Sequence, residues 1–81
     1  MATLHMLRDL DARLCLEALD PDAGDKLVLI QDAVLAKGPF PCEVHACQQD
    51  VTARGATTPF PALTYDGIRD LILEHDKVVL W

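Results

Sequence analysis

The chain has 81 residues, 51% of them hydrophobic, with 13 acidic against 7 basic side chains and a formal charge of −6. A single domain spanning 1–81 hides only about 60% of the surface its unfolded chain exposes, so a mean hydropathy of +0.15 predicts apolar surface buried against another subunit. The acidic balance argues against a nucleic-acid backbone or an anionic membrane as direct partner.

Strand and helix signals alternate along the chain. Thr3–Leu7 is a short apolar run and reads as a first strand. From Asp9 to Leu19 the spacing predicts a helix, with Leu10, Leu14, Cys15, Leu16 and Leu19 on one wide arc and Asp9 as its cap. Pro21 and Gly24 mark the loop beyond it. Lys26 to Gln31 is apolar on both faces through Leu27-Val28-Leu29-Ile30, the pattern of a central parallel strand covered on each side. That run is also far short of the ~20 residues a membrane span needs.

Asp32 opens a short helical turn, Ala33 to Lys37, closed by Gly38. Glu43 to Cys47 follows as a third strand, and Asp50 to Arg54 as a turn of helix ended by a left-handed Gly55. Pro61 to Thr64 reads as an edge strand, because proline cannot donate to a ladder. Thr64 or Asp66 caps a helix running to about His75, with Ile68, Leu71, Ile72 and His75 on one stripe. Val78 to Trp81 completes the sheet. The expected fold is a small three-layer α/β/α domain with a mainly parallel sheet of four to five strands. Pro-Phe-Pro occurs at 39–41 and again at 59–61, which reads as loop chemistry because the flanking segments differ.

The glycines are too scattered for a phosphate-binding turn between strand and helix. Cys42, His45 and Cys47 have the right types for a metal, but strand alternation sends Cys42 to one face and His45 with Cys47 to the other, so no metal is expected. The N-terminus shows no positively charged start leading into an apolar stretch, and the 3 cysteines form no spaced framework. Both read as a cytoplasmic protein with reduced thiols. Cys15 has two readings on its residues alone. It is a small core residue on an apolar arc, or a thiol for persulfide transfer, against which its neighbours Asp9, Asp11 and Glu17 would work by raising its pKa.

Several segments, taken in order, resemble the DsrH/TusB family, the smallest subunit type of the sulfur-relay complexes. Leu4-His5 is similar to the family's opening strand, and Leu29-Ile30-Gln31-Asp32-Ala33-Val34 to its central strand and turn. Asp50, Ala53, Arg54 and Gly55 fit its Asp-x-x-Ala-Arg-Gly stretch, a Tyr-initiated helix begins at Tyr65, and His75-Asp76-Lys77-Val78 leads to Trp81 as in its closing segment. Ala33 stands where the family has glycine, and the short segment after it implies a second helix of a turn or two and a trimmed interface.

The resemblance implies a role in handing sulfur between proteins, in tRNA 2-thiouridine synthesis or in sulfur oxidation, with no cofactor. It implies assembly with DsrE/DsrF- or TusC/TusD-like subunits and delivery to a DsrC/TusE-like acceptor. It leaves open whether this subunit is itself a catalyst. DsrH-type members can carry a sulfur-bearing cysteine in the first helix, the region of Cys15. Gln31, Asp32, Asp50 and Arg54 are then expected at the carboxyl edge of the sheet, where parallel folds place their functional loops. Trp81 is expected either to seal the core against the His75 helix or to anchor a subunit contact. The alternative function is a homodimeric interaction module that transfers nothing.

Overall fold

The computed structural model describes residues 2–81. Its elements are strands β1 (Thr3–Leu7), β2 (Lys26–Leu29), β3 (Glu43–Cys47), β4 (Ala62–Leu63) and β5 (Lys77–Leu80), with helices α1 (Arg13–Ala18), α2 (Gln48–Ala53) and α3 (Tyr65–Glu74). Two 3-10 segments, Pro21–Ala23 and Gln31–Leu35, fill the loops before and after β2. The sheet runs β4-β3-β2-β1-β5, and every neighbouring pair is parallel. The expected α/β class and parallel sheet are therefore present, and β4 does lie at an edge.

Period-two alternation divides the side chains into two cores. Leu7, Leu27, Leu29, Val44 and Ala46 face one side, where Cys15 of α1, Val34 of the 3-10 segment and Val51 of α2 pack on them. Leu4, Val28 and Cys47 face the other side, covered by Ile68 and Leu71 of α3. Leu27, Val28 and Leu29 are each 0% exposed, so the both-faced apolar run does mark a strand buried on two sides. Burying Ile68 and Leu71 contributes about 1.5–3 kcal/mol each, which makes those two positions the anchor of α3.

The first helix is a correction. It covers only Arg13–Ala18, not Asp9 to Leu19, and its cap position is Ala12 with no side-chain capping bond. Asp9 accepts instead from the Leu10 amide, and Asp11 accepts from the Arg13 amide while its other oxygen takes the Arg13 guanidinium. These local carboxylate turns compete with helix and delay its start. A helix of under two turns can dock only one narrow stripe. Cys15 and Leu19 are buried, whereas Leu10, Leu14 and Leu16 are left exposed.

Smaller differences follow the same logic. The turn after β2 is 3-10 from Gln31 to Leu35, and its left-handed residue is Gln31 (φ 51°) rather than Ala33. Ala33 is fully buried, so the alanine there is a packing residue. Thr64 does occupy the cap position of α3, but neither its side chain nor that of Asp66 makes a capping bond. The two Pro-Phe-Pro loops meet: the rings of Phe40 and Phe60 pack 5.6 Å apart between centroids.

Candidate functional site at the carboxyl edge

Four expected residues converge where β2 and β3 end. Gln31 follows β2 in the left-handed region, which costs about 1–2 kcal/mol for a residue with a Cβ. Its amide donates to Asp50 Oδ2 at 2.9 Å, and a bond to a charged acceptor contributes about 1.5–3 kcal/mol, enough to hold the strained residue. Arg54 then ties the cluster together. Its Nε donates to Asp32 Oδ1 at 3.0 Å and its Nη1 to Asp50 Oδ1 at 3.2 Å. The Gln31 amide, aided by the Cys47 thiol and Arg54, holds the Asp50 carboxyl below its ordinary value against the opposing effect of burial.

Trp81, which follows β5, is placed differently from one of its two expected roles. It packs on the α1 side of the sheet, whereas α3, which ends just before His75, covers the opposite side. The His75 ring instead bonds its own helix, at the Leu71 carbonyl. The Trp81 and His5 rings lie edge to edge, with centroids 6.1 Å apart and planes 16° from parallel. An indole N–H can only donate, so its 3.0 Å bond makes His5 Nδ1 an acceptor. The imidazole proton then sits on Nε2 and is donated to Asp25 Oδ2 at 2.9 Å.

Asp25 itself is well anchored. Oδ1 accepts from the Thr3 amide at 2.8 Å and Oδ2 from the Asp20 amide at 3.0 Å. Burial pushes this carboxyl up, but the Asp20 and Thr3 amides and His5 together outweigh it and hold it below its ordinary value. Both His5 and Asp25 are buried. A polar chain thus runs from the amino edge of β1, through the sheet's first core, to the ring of Trp81.

Cys15 belongs to the core cluster on which Trp81 packs. It lines a cavity of about 510 Å³ together with Leu7, Leu14, Glu17 and Trp81. A second cavity of about 320 Å³ is lined by Arg8, Asp9, Gln31, Asp32 and, again, Trp81. Trp81 and Asp9 thus line both cavities. The Cys15 side chain is 1% exposed, and burial, with a smaller effect from Cys42, pushes its thiol up to about 11. In this conformation the thiolate that would attack or accept sulfur is scarcely populated near neutral pH.

The remaining thiols are placed as strand alternation requires. Cys42 packs on the α1 side and Cys47 on the α3 side, while His45 pairs with Glu43 at 2.7 Å. Among the described residues, no group of His, Cys, Asp and Glu side chains has metal-binding geometry. None of the helices in the described residues is long and apolar enough to cross a membrane.

Sequence reasoning did not single out Asp25, nor the Asp32–Arg54 and Gln31–Asp50 contacts. The signal for Asp25 was present but indirect. A histidine inside an apolar strand requires a buried partner, and the carboxylate just before the adjacent parallel strand is placed to provide it. No family model matches the chain, and no curated protein matches it.

Proposed function

We propose that the chain is a sulfur-relay subunit of the DsrH/TusB type. It acts through assembly with DsrE/DsrF- or TusC/TusD-like subunits, serving a DsrC/TusE-like acceptor in tRNA thiolation or sulfur oxidation. One observation carries the reading: residues picked out by the resemblance in two separate segments, Gln31 with Asp32 and Asp50 with Arg54, form one hydrogen-bonded cluster on the carboxyl edge. The exposed Leu10, Leu14, Leu73 and Leu80 support a chain that buries further surface in an assembly. Cys15 is the carrier thiol in this reading, and its burial makes assembly the principal role and transfer a step that needs the site opened.

Reconstitution with a cysteine desulfurase and the larger relay subunits tests both parts. Co-elution of this chain with those subunits, and a +32 Da sulfur adduct (about one sulfur atom by mass) mapped to Cys15, are the expected results. Failure to co-elute would sink the assembly role. A complex that labels a partner's cysteine and leaves Cys15 bare would sink the carrier role alone. The second reading, a homodimeric interaction module that transfers nothing, is favoured by the raised Cys15 thiol. A stable homodimer that ignores the larger subunits would establish it.

A further inference from the structure

We infer that the Trp81 side chain is a latch over Cys15, and that His5 and Asp25 are the positioning residues that hold it shut. The backbone and the ring of Trp81 are secured separately. The backbone is pinned by its amide to the Met6 carbonyl at 2.8 Å and by its carbonyl, which accepts from the Arg8 amide at 3.3 Å and from Arg8 Nε at 3.0 Å. The ring is held by a single directional bond, Nε1 to His5 Nδ1, and by its packing on the α1-side core. Breaking that bond leaves the ring held only by its packing on the α1-side core, while the backbone bonds of Trp81 to Met6 and Arg8 remain.

The consequence of such a swing follows from where the indole stands. Trp81, together with Asp9, lines both the 510 Å³ cavity that Cys15 lines and the 320 Å³ cavity that Gln31 and Asp32 line. A swing of the ring would widen the 510 Å³ cavity on the side it shares with the edge, past Asp9, and bring solvent to the buried thiol. The strength of the latch is set at the other end of the sheet. Asp25, fixed by the Thr3 and Asp20 amides, keeps the His5 proton on Nε2 and so keeps Nδ1 free to accept from the indole. An effector that disturbed the Asp25 loop would open the carboxyl edge. The inference rests on this geometry and does not require that Cys15 carry sulfur.

The test is pulse alkylation of the full chain with iodoacetamide, read at each cysteine by peptide mass spectrometry. Trp81→Phe keeps an aromatic ring and removes the donor. Cys15 should then be labelled about tenfold faster, the scale of one lost part-buried hydrogen bond. Cys47, buried on the opposite face of the sheet, reports general opening and should not change. An unchanged Cys15 rate overturns the latch, and so does a parallel rise at Cys15 and Cys47, which would mean global loosening. Asp25→Asn tests the positioning role with Trp81 intact. It should raise acrylamide quenching of the Trp81 emission together with Cys15 labelling at constant Cys47 labelling, and unchanged quenching refutes that role. None of these outcomes bears on sulfur transfer, which the desulfurase experiment decides.

Discussion

Replacing Asp25 by alanine removes an acceptor that three donors share. The Thr3 amide, the Asp20 amide and His5 Nε2 all point at this carboxylate, at 2.8, 3.0 and 2.9 Å. A hydrogen bond to a charged group is worth about 1.5–3 kcal/mol, and a buried donor left unpaired costs about 1–3 kcal/mol. Water can reach the part-buried amides and recover some of this, but not the buried imidazole. A net loss of about 3–4 kcal/mol follows. An 81-residue domain has only about 4–12 kcal/mol in total, so this one carboxylate carries a large share of the margin. The melting temperature should fall by roughly 15–25 °C.

The assay is urea unfolding followed by far-UV circular dichroism, because Trp81 emission is itself altered by the change. Repeating it at several pH values adds a second check. The folded Asp25 carboxyl lies below its ordinary value, so its contribution is complete above the unfolded pKa of about 3.9 and is lost as pH falls through the folded value. The alanine variant should therefore lose less stability between about pH 4 and 2 than the parent, with Asp50, Glu43 and Asp11, also held low, retaining the rest. A loss below about 1 kcal/mol at neutral pH would refute the reasoning, since it would mean that the three donors find other partners.

Gln31 gives a test of opposite signs at one position. Gln31→Gly relieves the left-handed strain and should be neutral or stabilising by up to about 1 kcal/mol, whereas Gln31→Val should cost at least about 1 kcal/mol, both read as urea midpoints. Arg54→Gln unties Asp32 from Asp50, and because these groups are partly solvated the loss should be about 0.5–1 kcal/mol and shrink in 1 M salt. The Cys15 thiol stands at about 11 in the folded chain, above its unfolded value of about 8.5. Its contribution is thus complete below about pH 8.5 and declines as pH rises toward the folded value. Cys15→Ala should flatten the fall in the urea midpoint between about pH 8.5 and 11, the window between those two values, and an identical slope in both proteins would contradict the assignment.

The parts of the fold that were legible in the sequence are those where one strong local rule acts without a rival. The aliphatic run Leu27 to Leu29 is a strand covered on both sides, ending one residue before Ile30, and the strand that starts just after Pro61 lies at an edge. The first helix was misread because two rules compete there. Its apolar spacing is helical from Leu10 onward, but Asp9 and Asp11 satisfy nearby amides themselves and leave three leucines outside the core. In the site, the Asp50–Arg54 pair is four residues apart and visible in one dimension. Its extension to Asp32 spans 22 residues and needs the β2–β3 register. Trp81 was recognisable as a side chain requiring a partner. Identifying that partner as His5 required knowing that β5 lies beside β1.

That adjacency also orders the events of folding. β1 is the second strand from one edge of the sheet and pairs with both β2 and β5, so its outer side stays unsatisfied until residues 77–80 arrive from the far end of the chain. The His5–Trp81 bond closes a loop of 76 residues in sequence, and contacts of such separation form late because the chain entropy they cost is recovered only once the intervening elements are in place. Trp81 is the protein's only tryptophan. Its fluorescence therefore times the last seam of the sheet to close rather than the initial collapse of the chain.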